Sequence, residues 1–481
     1  MLLAGQGYKK VILMRLAPGI ISEVGHPRNI RPPYTLKYME SLLKKYDYST
    51  MLMDCWIRPL NLSKAINESL KFEPDMIVIL ITTPDAKEAM DYAMGIRSID
   101  RRAVIVAVGQ EPTAIPEKYI FKGAPVDFVL KGESELSLIQ LLKELNSGRD
   151  FASVRGLYSL DNRDSSTVFI DDLNMLPYPR YSREDFKKYS FFYPIKIKKK
   201  VIWGHILTSR GCPYDCIFCS QTIRESYGKE VRIRNVDNIL EEMAYLTGMG
   251  ANVISIDDDN FTTSRQHVYA ICDGLKKMRA GIKWTAHARI DNVDLDMLKI
   301  MKESGCVLLR FGVESGSDRI IRVIKKAGEN ISDWAERSKN VFSLMKKVGI
   351  EAGALFLFGN PSETRPEIEA TIRLARELKP SFAQVCFFTA FPGSSAHEKF
   401  KDKIGISEVN PMYHYAKPAV NLSQVPSEDL IKLQNSFYAS VFLNPGFLVK
   451  HFFNYFFFYI FNLNVAARLS NLLGYSFNRK L

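Results

Sequence analysis

The sequence predicts an α/β protein with an N-terminal doubly wound parallel sheet (Rossmann-like), a partial (β/α)6 barrel and a helical C-terminal tail. The first observation is alternation: short apolar runs of strand length are separated by longer helical patterns through residues 1–150 and again from residue 201. Such near-continuous apolar strands indicate parallel sheets covered by helices. The second observation is a count: six strand-like runs follow residue 201, too few for the eight of a closed barrel.

The first domain, residues 1–150, is expected to bind a ligand at the carboxyl ends of its strands, as doubly wound sheets do. The loops at that edge read "RLAPGIISEVGHPRNIRPP", "VGQEPT" and "LKGESE". The predicted strands cover residues 10–16, 49–54, 76–82, 103–109 and 126–132.

Residues 151–200 are predicted to be a linker with a small hairpin, because "LDNRDSSTV" is a polar turn, "LPYPRY" is proline-rich and "KIKKK" is basic. Residues 201–400 form the predicted barrel, and residues 401–481 a helical, aromatic-rich region. The predicted barrel strands cover residues 201–209, 252–257, 282–288, 306–313, 351–358 and 382–390.

The composition narrows the possible partners. The chain has 481 residues, of which 46% are hydrophobic and 25% charged, as in folded globular proteins. Seven cysteines without a disulfide-like spacing, and no secretory signal pattern at the start, favour a cytoplasmic protein. The net charge of +12 fits a solvated surface. No basic helix interleaved with aromatics and no zinc finger is recognisable, so we expect no nucleic-acid partner.

The segment "TSRGCPYDCIFCS" directly follows the first barrel strand and contains Cys212, Cys216 and Cys219. Three thiolates on so short a loop suit one iron–sulfur cubane, which uses four ligands and would keep one iron open. An open metal position is typical of catalytic sites. The alternative is a zinc site completed by Cys272, Cys306 or a histidine, although no second half-site is present. The same two cysteines, with Cys55 and Cys386, lie in apolar patterns and are predicted to be buried small hydrophobes.

This Cys-x3-Cys-x2-Cys loop behind the first strand of a six-unit barrel resembles the radical SAM superfamily. The resemblance implies a [4Fe-4S] cluster on Cys212, Cys216 and Cys219, with S-adenosylmethionine chelating the fourth iron. It also implies a reductant of the flavodoxin or ferredoxin type and a 5′-deoxyadenosyl radical that abstracts hydrogen from an unactivated carbon.

The resemblance extends along the barrel strands through residues 200–395. The matching segments are "SIDDDNFT", "WTAHARID", "LRFGVESGSDRI" and "FLFGNPSET". Each carboxylate in these segments could instead cap the helix that follows its strand, without binding a cofactor. The residues implied to bind the cofactor are Phe218 and Gly359 at the adenine, Arg289 at the carboxylate of S-adenosylmethionine, Glu314 near its ribose, and Asp257 and Asp258 at the end of the second strand.

The first domain is similar to the cobalamin-binding domain that precedes the barrel in one radical SAM class. Gly109 and Gly132 offer backbone without side chains at the strand ends, and the helix after Glu133 offers N–H donors to a phosphate. Two features differ from the usual pattern. The Asp-x-His-x-x-Gly string that carries a cobalt ligand is absent, leaving His26 as a substitute, and Gln110 stands where a second glycine is usual.

The expected function is therefore that of a radical SAM enzyme, with cobalamin-dependent C-methylation as the first hypothesis. A cyclising, rearranging or oxidising enzyme on the same frame is the second. A non-catalytic iron–sulfur or cobalamin sensor or carrier is the third, from another functional class. The substrate is expected to be a small or lipid-like molecule.

The C-terminal tail contains "HFFNYFFFYIF", which is too short and too interrupted to predict a spanning helix. Flanking cations such as Lys450 and Arg468 suit an interfacial helix in peripheral contact with a membrane. The alternative is a helix packed across the open side of the barrel or against another subunit.

Overall fold

The computed structural model describes residues 7–19, 29–148, 150–163, 166–219, 227–404, 418–443, 448–449 and 452–455. His26 and most of the predicted aromatic tail, including residues 456–481, lie outside the described residues. The described part contains two six-stranded sheets and a two-stranded hairpin.

The first sheet has the strand order β2-β1-β3-β4-β5-β6, and all neighbours pair in parallel except the last pair. Separate cores cover its two faces. Its strands are β1 (Lys10–Arg15), β2 (Ser49–Asp54), β3 (Met76–Leu80), β4 (Val104–Val108), β5 (Phe128–Leu130) and β6 (Leu157–Tyr158). Its helices are α1 (Tyr34–Lys45), α2 (Leu62–Phe72), α3 (Ala86–Ile99), α4 (Gln110–Ala114) and α5 (Glu135–Asn146).

The second sheet is entirely parallel, in the order β14-β13-β12-β11-β10-β7. Its strands are β7 (Trp203–Ile206), β10 (Val253–Ile256), β11 (Lys283–Ala288), β12 (Cys306–Glu314), β13 (Glu351–Phe358) and β14 (Phe382–Phe387). The hairpin strands β8 (Ser209–Arg210) and β9 (Arg232–Ile233) pair antiparallel beside it. The remaining helices are α6 (Arg183–Phe186), α7 (Val236–Gly248), α8 (Arg265–Met278), α9 (Leu295–Glu303), α10 (Asp318–Val323), α11 (Trp334–Val348), α12 (Arg365–Leu378), α13 (Ser395–Ile404) and α14 (Ser427–Phe442).

Polar residues in the loops that follow the strands start several of these helices. Each accepts a hydrogen bond from the backbone N–H three residues later, which satisfies a donor that the first helical turn leaves unpaired. Such caps begin α2, α8, α9 and α10 at Asn61, Ser264, Asp294 and Ser317.

The two faces of the second sheet differ in character because side chains alternate along each strand. The outer face packs against the helices in a large apolar core that includes Trp284, Phe311 and Phe356. The opposite face, which we call the inner face, carries polar side chains at the same strands. They are His205, Ser255, Asp257, Thr285, His287, Arg310 and Glu314.

The segment before β7 closes one end of the inner face. Phe191 and Tyr193 pack with Trp203, Val253 and Leu308 in a small core of their own. The same segment is joined to the first domain by a bridge between Ile30 and Ser190. The predicted linker is therefore packed between the two sheets.

The fold class predicted from the sequence is confirmed, and most strand boundaries fall within two residues of the predicted ones. Within the predicted linker, β6 pairs antiparallel to β5 at the sheet edge, and Tyr158 forms an antiparallel bridge with Arg163. Within the described residues no helix is long and apolar enough to cross a membrane.

The close approach of the backbone at Gly132 to Val168 can be tested by substitution. Gly132 has φ +80°, and a Cβ there would collide with the backbone of Val168. Gly123 has a similar φ of +87°, but a Cβ would meet open space. We expect Gly123→Ala to cost about 1 kcal/mol from the left-handed backbone alone, and Gly132→Ala to cost several times more. Urea unfolding of both variants measures the difference, and equal costs would contradict the close packing at Val168.

Candidate functional site

The cysteine loop connects β8 to β9, just after the carboxyl end of β7. Gly211 has φ +97°, and a Cβ there would collide with the Glu230 carbonyl, so this position requires glycine. The Cys212 N–H donates to Gly228 O (3.3 Å), and the Ile217 N–H donates to Ile324 O (3.0 Å). Backbone contacts thus hold the loop on both sides.

The three thiols of this loop are free and lie near one another. Cys216 is 9% exposed, while Cys212 and Cys219 are half-buried. Burial raises the pKa of Cys212 and of Cys219, and the neighbouring thiols raise both further. Within the described ranges, no group of three or more His, Cys, Asp or Glu side chains is already arranged to hold a metal ion.

The donor set nevertheless suits an iron–sulfur cluster, because three unpaired thiols on one short loop, beside cationic side chains, are what a cubane requires. The zinc alternative gains no support. Cys272 and Cys306, its candidate fourth ligands, pack in the core on the outer face of the sheet. Burial of Cys55, Cys272 and Cys306 is confirmed, but Cys386 is only half-buried, since β14 points it to the inner face.

Arg289 lies at the cysteine loop. Its Nη1 is 3.6 Å from Cys216 Sγ, and its guanidinium stacks 3.6 Å from the centroid of the Tyr214 ring. Asp291 accepts from its Nε (2.9 Å) and Nη2 (2.7 Å). Burial alone would lower the pKa of Arg289, but Asp291 outweighs it and raises the pKa. A permanently charged donor therefore stands beside the thiols.

Glu314 is paired with Lys326, a residue that the sequence reasoning missed. Lys326 Nζ donates to Glu314 Oε1 (2.8 Å), and both side chains are buried. Gly312 leaves the space for this pair, because a Cβ there would collide with both side chains. Lys326 also lies 5.9 Å from the Phe218 ring centroid, and its carbonyl accepts from Arg289 Nη2.

Glu314, Lys326, Phe218 and Arg289 are therefore brought together around the cysteine loop. The signal for Lys326 in the sequence is weak, because it is one of two adjacent lysines in "VIKKAG" and only burial distinguishes it from Lys325. Burial would lower the pKa of Lys326, but Glu314 and the nearby Cys216 raise it overall. The lysine stays charged beside the thiols.

Asp258 supports the strand that leads to the loop. It accepts from the Thr208 N–H (2.6 Å), from Thr208 Oγ1 (2.5 Å) and from Ser209 Oγ (2.6 Å). Burial raises its pKa despite these donors. In this arrangement Asp258 holds the backbone three to four residues before Cys212.

Asp257 instead joins the two domains. It accepts from Tyr34 OH (2.8 Å) in the first domain and contacts His205 Nδ1 (2.9 Å) on β7. Burial would raise its pKa, but Arg31, His205 and Arg310 lower it well below its usual range. Asp257 is therefore a buried, ionised carboxylate at the domain interface.

Gly359 begins the turn after β13, and Glu363 holds that turn. Glu363 Oε2 accepts from the Asn360 N–H (3.0 Å) and from Asn360 Nδ2 (3.2 Å). Burial raises the pKa of Glu363 to about 8. Glu363 was not singled out from the sequence, although its spacing four residues after Gly359 is visible there.

The predicted cofactor loop of the first domain contacts the barrel directly. Glu133 forms a bidentate pair with Arg232 (2.7 and 2.9 Å) and accepts from the Ile170 N–H (2.7 Å). Arg210, two residues before Cys212, donates to Glu135 Oε1 (2.8 Å). Burial raises the pKa of Glu133, against the effect of both arginines. This buried network, Glu133, Glu135, Arg210 and Arg232, we call the interdomain clamp.

The carboxyl edge of the first sheet has unsatisfied polar atoms that suit a bound cofactor. Ser134 Oγ at the start of α5 and Glu111 Oε2 in α4 are buried without a partner in the described part of the chain. Gly109 and Gly132, both with positive φ, stand at the ends of β4 and β5. These groups fit the amide-rich rim of a corrin, so the predicted Gly109 and Gly132 remain candidates. The carboxylate of the predicted Glu133 is instead held by Arg232, and Ser134 and Glu111 were not singled out from the sequence.

Comparisons with known proteins point the same way. The profile of the Radical SAM superfamily matches residues 206–375. An uncharacterized methyltransferase of Pyrococcus horikoshii is 30% identical over 88% of this chain and 90% of that protein. An anaerobic magnesium-protoporphyrin IX monomethyl ester cyclase of Rubrivivax gelatinosus is 23% identical over 87% of this chain and 75% of that protein.

A solved structure has the same fold. The radical S-adenosylmethionine methyltransferase TsrM from Kitasatospora setae, with cobalamin and a [4Fe-4S] cluster bound, matches with a TM-score of 0.67 at 18% identity. The match covers 83% of this chain and 79% of TsrM.

The interdomain clamp makes a prediction about stability. Arg232→Met leaves the buried Glu133 without its bidentate partner, which we expect to cost about 3 kcal/mol. Arg265→Met breaks the exposed pair with Asp294 and should cost less than about 1 kcal/mol. The double variant Glu133→Met with Arg232→Met should recover part of the loss. Urea unfolding measures all three, and equal effects of the two arginine variants would contradict a buried clamp.

Proposed function

This chain belongs to the radical SAM superfamily, and we propose that it is a cobalamin-dependent methyltransferase that acts on an unactivated carbon. The observation that carries the catalytic part is the free three-cysteine loop flanked by Arg289 and Lys326. Enzymes of this superfamily use S-adenosylmethionine and require a reductant.

We propose that Cys212, Cys216 and Cys219 hold a [4Fe-4S] cluster and that Arg289, Glu314 and Lys326 hold S-adenosylmethionine. The two cations suit the carboxylate of the methionine moiety, since charge-assisted hydrogen bonds are the strong ones. Glu314 suits the ribose hydroxyls or the amino group. Phe218 and Gly359 offer an aromatic ring and open backbone for the adenine.

When bound, the cluster with S-adenosylmethionine supplies a carbon-centred radical, and cobalamin supplies a methyl group. The residues of the chain orient these groups and exclude water, which is the part a protein contributes to cofactor chemistry. Asp258 fixes the backbone before the cysteine loop, and Glu363 fixes the turn at Gly359. The apolar outer core keeps the six strands that carry these residues rigid.

We place cobalamin at the carboxyl edge of the first sheet, where Gly109, Gly132, Ser134 and Glu111 lie. The clamp supports this proposal, because it joins the turn at Glu133 and Glu135 to the two hairpin strands that flank the cysteine loop. A cofactor held at that edge would lie next to the hairpin that carries the cysteine loop. The histidines among the described residues lie in the barrel half of the chain, so we propose that the cobalt takes no histidine ligand from the described part of the first domain.

A cyclising or oxidising enzyme on the same frame is the second candidate, favoured by the similarity to the magnesium-protoporphyrin cyclase. The methyltransferase is preferred because the relative with higher identity and coverage carries that name. The non-catalytic carrier gains no support from these relatives, all named as enzymes.

The deciding experiment is anaerobic. The full chain is expressed with cobalamin supplied, its cluster is reconstituted, and iron, sulfide, the cobalamin absorbance bands and 5′-deoxyadenosine are measured. We expect about four irons per chain, near-stoichiometric cobalamin and reductive cleavage of S-adenosylmethionine. Cys216→Ala should lose the cluster, whereas Cys272→Ala, in the outer core, should keep it. A cluster without cobalamin would contradict the methyltransferase and favour the second candidate.

Lys326 provides a sharper test of the S-adenosylmethionine site. Lys326→Met should weaken S-adenosylmethionine binding by about tenfold or more, because a charge-assisted hydrogen bond is worth about 1.5–3 kcal/mol. Lys325→Met is a matched control, since Lys325 is adjacent but exposed, and Lys326→Arg should restore most of the affinity. Equilibrium binding to the reconstituted protein measures this, with iron content as the check on folding. Equal affinity of both methionine variants would remove Lys326 from the site.

We also propose a peripheral membrane contact through the C-terminal tail. Phe453 is 75% exposed and Phe452 is 54% exposed, while Tyr455 is anchored to Glu351 by its hydroxyl (2.5 Å). We expect the full chain to sediment with vesicles of mixed phosphatidylcholine and phosphatidylglycerol, and less so after Phe452→Ser with Phe453→Ser. Sedimentation that is absent, or unchanged in the double variant, would contradict this contact.

A further inference from the structure

A second polar group lies deeper on the inner face and is not explained by the S-adenosylmethionine site. On β12, Arg310 stands four residues before Glu314, which places it roughly 13 Å back along the strand from that residue. Residues of the first domain reach it across the interface. We call this group the floor cluster: Arg31, Tyr34, His205, Asp257, His287 and Arg310.

The carboxylate of the floor cluster already has its partners. Asp257 Oδ2 contacts Tyr34 OH (2.8 Å) and His205 Nδ1 (2.9 Å), and Oδ1 accepts from Ser255 Oγ (2.6 Å). Arg310 Nη2 is 3.8 Å from Oδ1, beyond hydrogen-bond distance. Donors from Tyr34, His205 and Ser255 thus use most of the acceptor capacity of Asp257.

Arg310 has donors left over. Its side chain is 1% exposed, Nη2 donates to Ser255 Oγ (3.2 Å), and the rings of Phe191 and Tyr193 lie 5.4 and 4.8 Å from the guanidinium. Nε and Nη1 are buried without a hydrogen-bond partner in the described residues. An unsatisfied buried donor costs about 1–3 kcal/mol, and more when it is charged, so a bound acceptor would stabilise this arrangement.

His287 adds a further donor at the same place. His287 and Arg310 are neighbours across β11 and β12 and point to the same face. Arg31 Nη2 lies 3.0 Å from His287 Nε2, and arginine can only donate. Nε2 is therefore the acceptor, and the proton of the neutral ring is on Nδ1. Burial, with Arg310 and Arg31 nearby, lowers the pKa of His287, which keeps the ring neutral.

Arg31 faces the carboxylates of Asp257 and Asp259, so the cluster's donors without a partner in the described residues are Nε and Nη1 of Arg310. Arg31 is exposed and His287 is half-buried, so the outer part of the cluster is accessible to solvent. Half-buried Leu355, Leu357 and Cys386 occupy other strands of the inner face.

We infer that the floor cluster is an oxyanion subsite for the substrate, binding a carboxylate or phosphate group while an apolar part of the same molecule lies along β13 and β14. This inference rests on the proposed function, since it names the substrate class for the same active site. It selects an amphiphilic anion, held by Arg310, Arg31 and His287, over a neutral lipid.

The test uses the full chain after anaerobic cluster reconstitution, with inorganic phosphate and acetate as the probes. Equilibrium binding of each labelled anion is measured at constant ionic strength, maintained with potassium chloride. We expect one saturable site for at least one probe. Preference for phosphate indicates a phosphorylated substrate, and preference for acetate indicates a carboxylic acid.

Variants decide whether that site is the floor cluster. Arg31→Gln, which changes an exposed side chain, should weaken binding by about tenfold, as expected for one lost charge-assisted contact. Arg310→Gln should abolish it, with thermal unfolding as the check on folding. Arg101→Gln, which changes an exposed arginine before the amino end of β4, should have no effect. No saturable binding of either probe, or equal binding in Arg31→Gln and the unchanged chain, overturns the inference.

The two proposals fail separately. Anion binding without reductive cleavage of S-adenosylmethionine would remove the proposed function and keep the subsite. Cleavage without anion binding would keep the enzyme and remove the subsite.

Discussion

The buried contact between Glu133 and Arg232, with Arg210 and Glu135 beside it, is the constraint on which the rest of this architecture depends. It joins the turn after the last parallel strand of the first sheet to the β8–β9 hairpin, whose two strands flank the cysteine loop. Buried charges persist in proteins only when they are paired and hydrogen-bonded. The relative position of the two carboxyl edges is therefore set by electrostatic pairing, and the cysteine loop is held at the interface.

The pairing of charged side chains differs between two places on the inner face of the barrel. Nearest the cysteine loop, Arg289 and Lys326 each have a carboxylate partner, Asp291 and Glu314. On the same face, Asp257 at the end of β10 is shared among several donors, and Arg310, four residues before Glu314 on β12, is left with unpaired N–H groups. A cofactor that carries both an ammonium and a carboxylate group suits the site near the cysteine loop, where each cation has a carboxylate partner. An anion suits the site at Arg310, where N–H donors have no partner in the described residues.

Much of the fold was predictable because it follows from local pattern. The strands of both sheets are apolar runs bounded by turns, and β2 and β13 have the predicted bounds. Parallel pairing then follows from the alternating helices. The cysteine loop was also predictable, since its three ligands are close together in the chain. Lys326 and Glu363 were missed because their significance depends on burial and on partners distant in the fold. Cys386 was assigned to a core because an apolar strand does not show which face is covered.

The sequence by itself therefore determined the α/β class, the two parallel sheets and the cysteine loop, since each is encoded in residues close together along the chain. Only the tertiary structure decided that Glu133 pairs with Arg232, that Asp257 spans both domains, and that Arg310 retains unpaired donors. These properties depend on which side chains share a water-excluded space. Side chains separated by about a hundred residues or more, such as Glu133 and Arg232 or Tyr34 and Asp257, reach that space only after the two sheets have packed together.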